Sequence, residues 1–164
     1  MDHRGLSLIV KADIIIIGIC GVLMCAVWYP FSISLTAIGI SSDVAPTASE
    51  RLAFWLQLSF YWITSLPCFL ILVIAWTVSS EIKKDNALSN AVMKKVKTQG
   101  MILLADIAVF LIGNIVFLLL GWNDFAVIYF IFIAIGLVFV SGLYVLWHYI
   151  KVGVQLKEET EGLI

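Results

Sequence analysis

Residues 79–100 read SSEIKKDNALSNAVMKKVKTQG, and Lys83, Lys84, Lys94, Lys95 and Lys97 in it make up half of the chain's ten Lys and Arg residues. The stretch separates two long apolar blocks, 52–78 and 101–121. A lysine cluster between apolar blocks sets the direction in which each block crosses a bilayer, so its reading decides the fold. The composition around it agrees. Of 164 residues 62% are hydrophobic and 13% charged, and mean hydropathy is +1.07. A soluble domain carries about 25% charged residues to cover its core. Here the apolar residues fall in runs long enough to span hydrocarbon rather than in stripes.

Upstream, MDHRGLSLIVKAD leads into IIIIGICGVLMCAVWYPF. The apolar run exceeds a signal-peptide core and ends in WYPF, without a small-residue cleavage site. It is expected to be a retained first span near 9–29, with Trp28 and Tyr29 in the interfacial belt and Pro30 ending the helix. Residues 31–51 are more polar and form the longest connection. The second span, near 52–78, contains Pro67, which should kink it. Gln57, Ser59, Thr64 and Ser65 are expected to hold helices together. Downstream of the lysines, Ser89 is placed to cap a short helix through Met93–Lys97. The third span is near 101–121 and the fourth near 125–149, joined by a turn so short that they must be antiparallel neighbours. In the fourth, Gly136, Ser141 and Gly142 allow close backbone approach. Residues 150–164 form a tail. The expected fold is therefore all-α, a single transmembrane domain over 1–164 built as an antiparallel bundle of four spans.

Four spans put both termini on one side. Arg4, Lys11, Lys83, Lys84, Lys94, Lys95, Lys97, Lys151 and Lys157 then share that side, against Arg51 alone on the other. This imbalance places both termini and the 79–100 segment in the cytoplasm. Cys20, Cys25 and Cys68 all lie in apolar runs, with no metal-ligand spacing, and are expected to be packing residues. No catalytic motif or phosphate-binding loop occurs. The expectation is a protein that is not an enzyme and holds no cofactor and no metal.

EIKKDNALSNAVMKKVKTQG is similar to the segment between the second and third spans of the DUF2975 family of small bacterial membrane proteins. Members tend to carry Gly/Asn-x-Phe-Ser-x-x-Asn before a short basic helix. Leu88 stands here where that family often has Phe. The tail GVQLKEETEGLI resembles the family ending Leu-x-x-Glu-x-Asp-Leu-Thr-Ile, with Leu156, Glu159 and Gly162–Ile164 on its positions, although Glu161–Gly162 departs from the Asp-Leu-Thr run. The resemblance implies a bacterial cell-membrane protein without an assigned activity. Members are often encoded beside a small helix-turn-helix regulator, which implies a cytoplasmic DNA-binding protein as partner.

Polar residues inside spans are costly and mark sites. Asp106 lies five residues into the third span, and Asp13 at a comparable depth in the first. Asp13 and Asp106 are expected to share a vestibule open to the cytoplasm, with Lys11 or a lysine of 94–97 nearby. Asn114, eight residues beyond Asp106 and about 80° around the helix, shares a broad face with it. A cytoplasmic interaction surface is expected from Lys83, Lys84, Lys94, Lys95 and Lys97 together with Glu158 and Glu159 of the tail. The leading functional expectation is a regulatory or sensory partner of a cytoplasmic protein. The alternatives are an oligomeric small-solute transporter or channel, resting on Asp106, Asn114 and Pro67, and a lipid-binding or assembly subunit. Lipid bilayer contact and a homo-oligomer are further expectations. Lysines next to a membrane meet anionic lipid, so direct nucleic-acid binding is not expected.

Overall fold

A computed structural model of the chain describes residues 3–37, 47–84, 87–122 and 126–161. All regular structure in them is helical. α1 (His3–Leu23) passes through a π-helical turn (Met24–Trp28) into α2 (Tyr29–Ala37). α3 (Ala48–Ile82), α4 (Asn90–Leu119) and α5 (Ala126–Glu161) follow. Four segments are long and apolar enough to cross a membrane: Ser7–Ser34, Ala48–Ile82, Asn90–Leu119 and Val127–Thr160. The protein is a four-span membrane protein, as its sequence predicts.

Pro30 does not end the first helix. A proline inside a helix lacks an N–H and presses on the carbonyl four residues earlier, here Ala26. The π-turn just ahead of the ring absorbs this misfit, and the Tyr29 N–H reaches back five residues to the Met24 carbonyl. The Cys25 carbonyl is then stranded, because Tyr29 is already used and Pro30 has nothing to donate. Trp62 of α3 supplies the missing donor, its indole Nε1 lying 3.0 Å from the Cys25 oxygen. In hydrocarbon no water can replace it. Trp62→Phe is therefore expected to destabilise the protein by about 1 kcal/mol, while Trp55→Phe, on the same helix face and more exposed, changes little. Thermal melts of the two variants in one detergent check this.

The ends of the helices carry ordinary local signals. α3 starts with a capping box: Thr47 accepts from the Glu50 N–H, and Glu50 accepts from the Thr47 N–H at 2.6 Å. Ser89 caps α4 through the Val92 N–H, as its position suggested. The helix it starts does not stop at Lys97 but runs directly into the third span. At the far end Gly121 adopts φ +71°, Trp122 N–H bonds the Phe117 carbonyl at 2.9 Å and Gly121 N–H bonds Leu118 at 3.1 Å. This is a Schellman cap, a turn suited to glycine. Gln57 of α3 fixes the turn by donating to the Trp122 carbonyl at 2.7 Å.

The helices pack in chain order. α1 and α2 lie on α3, α3 on α4, and α4 on α5, with no backbone approach between α1 and α4. Buried positions on α4, namely Val92, Val96, Gln99, Ile107, Asn114 and Phe117, are spaced by three, four, seven or eight residues, so they line one stripe of the helix. Gly136 of α5 opens that contact to the Ile107 side chain of α4, whereas Gly142 faces open space. At one end Ser7 and Ser79 clasp α1 to α3, each hydroxyl donating to the other's carbonyl at 3.0 Å.

Two contacts mark a common level near that end. Lys11 Nζ sits 4.9 Å over the Trp76 ring, joining α1 to α3. Lys97 and Lys151 Nζ lie 5.9 and 5.6 Å from the Trp147 ring, joining α4 to α5. Tryptophan and lysine collect at headgroup depth. A hydrocarbon layer of about 30 Å takes about 20 residues at 1.5 Å each. Counting from this level reaches Phe31, Leu56, Phe117 and Val127, so all four spans are matched in length. The remaining helix projects into water on both sides.

Candidate functional site

Three places gather unusual side chains. The first is a polar seam between α3 and α4. From the Gly121 end inward it runs through Gln57 and the Trp122 carbonyl, then the Tyr61 hydroxyl donating to Asn114 Oδ1 at 3.0 Å. Next comes the Cys68 thiol directed at Asp106 Oδ2 at 3.5 Å, and finally Gln99 Nε2 donating to the Ile71 carbonyl at 3.0 Å. Asn114 also donates to the Phe110 carbonyl of its own helix at 2.8 Å. Ser59 and Thr64 each bond a carbonyl one turn back, Trp55 and Phe60 respectively. Ser65 likewise bonds Tyr61. Of that polar group of α3, Gln57 reaches the turn after α4, and Ser65 also hydrogen-bonds the Tyr29 side chain of α2.

The second is an aromatic hub in the same half as the short turn. Tyr61 is 1% exposed and lies between Tyr29 of α2 and Tyr129 of α5, its ring 5.0 Å from each in stacked geometry. Phe60, Phe110 and Phe117 surround it at 5.5–6.1 Å. The Tyr129 hydroxyl meets Ser32 Oγ at 3.2 Å. Tyr29 is half-buried, its ring packed against this hub. The hub is how α2 and α5 meet although their backbones stay apart. No period in the sequence links three tyrosines 32 and 68 positions apart, so only the fold reveals it.

The third is the lysine-rich end. Beyond the Lys97–Trp147 level, α4 and α5 continue as an antiparallel pair with its own core of Val92, Val96, Ile150 and Val154, backed by Val78, Met93 and Leu143. Leu88 lies against Gly153, where a Cβ would stand 2.8 Å from its methyl. Asn90 donates to Glu158 Oε1 at 3.1 Å. The 79–100 segment and the tail therefore form one surface. Lys83, Lys84, Lys94 and Lys97 are exposed on it, Lys95 is half-buried, and Glu158 and Glu159 are exposed. Lys84 is 3.7 Å from Glu81.

Asp106 and Asn114 both face α3, as one broad helix face requires. Asp13 is exposed on α1, on the far side of α3 from α4. The structure does not bring Asp13 and Asp106 together, because the helices pack in chain order with α3 between them. Among the described residues no group of three or more His, Cys, Asp or Glu is placed to hold a metal ion. Cys20, Cys25 and Cys68 are free thiols.

Helices of this length, polar groups paired within the bilayer and a tryptophan–lysine rim define a multi-pass helical membrane protein. Within that class the chain belongs to the DUF2975 family, proteins of unknown function, whose sequence profile matches residues 37–164. The match begins at the last residue of α2 and takes in α3, α4 and α5 whole. No curated protein and no solved structure matches the chain.

Proposed function

We propose that the protein is a regulatory membrane partner of a soluble cytoplasmic protein, with both termini and the 79–100 segment in the cytoplasm of a bacterial cell. The observation that carries this reading is the projecting α4–α5 pair. It has a core outside the hydrocarbon, and it brings the lysine segment and the Glu158–Glu159 tail into one exposed patch. A surface bearing both signs of charge selects partners by complementarity more than by area. A small helix-turn-helix regulator is the partner that the family's gene neighbours suggest. The role is binding rather than catalysis: inside the spans, the polar side chains of the α3–α4 seam are engaged with each other or with backbone carbonyls.

The test is affinity capture from native membranes. It compares wild type with a deletion of 151–164 and with Lys94→Glu/Lys95→Glu, which leaves the core valines intact. One soluble protein should co-purify with wild type and be lost from both variants. An identical profile from all three would refute the proposal.

A further inference from the structure

We infer that Asp106 and Cys68 form a reversible proton-binding site inside the bilayer, facing an opening between α1 and α4. Asp106 lies nine residues beyond Lys97, about 14 Å along the helix and so near the middle of a layer about 30 Å thick. It is the only charged residue between Lys97 and Leu119 of α4, and α3 has none from Leu52 to Ser80. Asp106 is half-exposed, and among the described residues its one hydrogen-bond donor is the Cys68 thiol at 3.5 Å. No described lysine, arginine or histidine lies within ion-pair distance of it. A thiol is a weak donor, whereas a carboxylate has about four acceptor sites. An intramembrane carboxylate with so little support takes a cation or a proton. A metal cation would need several oxygen ligands, and no such group of ligands is placed here among the described residues. A proton needs only the carboxyl itself.

The opening follows from the faces of α3. Cys68 is seven residues from Tyr61 and eleven from Ser79, so the three share one line along the helix to within about 20°. Tyr61 and Ser79 are 1% and 0% exposed, yet Cys68 between them is exposed. The lipid-facing stripe of α3, with Leu66, Leu70 and Val73, lies on the opposite side of the helix. Cys68 is therefore uncovered on the inner side. There Trp62, Phe69 and Trp76 meet α1, while Phe60 and Ile71 meet α4. α1 and α4 make no backbone contact across the space between them. The other groups near the site are few. Gly136 of α5 faces Ile107, next to Asp106, and residues 130–143 of α5 contain nothing titratable. From the α1 side the Cys25 thiol acts on Cys68 electrostatically, while Asp13, two residues past Lys11, stays at the headgroup level. This inference is independent of the proposed protein partner.

The experiment is an infrared pH titration of the full chain in phosphatidylcholine vesicles. Wild type should show a carboxylic C=O band that Asp106→Asn removes, and this band should fade as pH rises and the proton leaves for water. One S–H band should move to lower frequency in step, because a thiol bonds a carboxylate more strongly than a neutral acid. Asp106→Asn should lose both responses, and Asp13→Asn should keep both. Cys68→Ala should lose the S–H response and keep the C=O band at a shifted frequency, a change that a packing role for the thiol would not produce. In native membranes a lipid-soluble carbodiimide, which adds to protonated carboxyls, should modify Asp106, and less so as pH rises. Absence of a C=O band assignable to Asp106, or S–H bands that stay fixed through the titration, would overturn the inference. Modification of Asp106 only after detergent extraction would show that a cation from a second chain pairs with it, and would overturn it too.

Discussion

Tyr61→Ala is expected to be the most damaging single substitution in the spans, lowering stability by about 3–5 kcal/mol. Tyr61 is fully buried and its ring touches five others contributed by four helical segments. In lipid the hydrophobic drive between helices is small, so close packing of this kind carries the association. Truncation removes two stacked contacts and leaves a void between α2 and α5, which have no backbone contact to compensate. Tyr61→Phe keeps the stack and loses the hydroxyl's bonds to Asn114 and Tyr129, at about 0.6 kcal/mol each. The large gap between the two variants, read from denaturant unfolding in micelles, separates packing from hydrogen bonding. Similar losses in both would mean that the hydroxyl, not the ring, holds the hub.

Gly113→Ala follows from the neighbouring contact. A Cβ on Gly113 would fall inside the ring of Phe60, against Cζ, Cε1 and Cε2 together. A rigid ring cannot yield as a flexible methyl can, and it is held on its other sides by Phe110 and Phe117 at 6.3 and 5.3 Å. Overpacking of this type costs about 1–3 kcal/mol. Gly113→Ala combined with Phe60→Leu should be little worse than Phe60→Leu alone, since the obstructing ring is gone. Gly153→Ala, which meets only the mobile end of Leu88, should cost less than Gly113→Ala. Strict additivity in the first double-mutant cycle would show that the two residues do not meet.

Much of the architecture was legible because the bilayer imposes simple rules. Length and apolarity set the four spans, the three-residue turn forced α4 and α5 together, and Ser89 declared itself as a cap. Pro30 misled because proline is an end signal only when nothing upstream adjusts, and the π-turn has no residue signature. The pairing of Asp13 with Asp106 failed for a different reason. Depth can be counted along a helix, but which helices are neighbours cannot, and α3 lies between them. Asp106 and Asn114 were placed correctly on one face because a single helix fixes that relation. The Cys68 thiol beside Asp106 and the Trp62 bond to Cys25 depend on packing angles that no local pattern encodes.

Sidedness underlies both the proposed partner surface and the spans, and labelling with a membrane-impermeant maleimide tests it most directly. Single-cysteine variants Lys94→Cys and Thr47→Cys, in a chain with Cys20, Cys25 and Cys68 replaced by Ala, report the two ends of the bundle. With the lysine end in the cytoplasm, Thr47→Cys should label in intact cells, and Lys94→Cys only in inverted vesicles or after permeabilisation. Labelling of Lys94→Cys in intact cells, with Thr47→Cys protected, would contradict the topology.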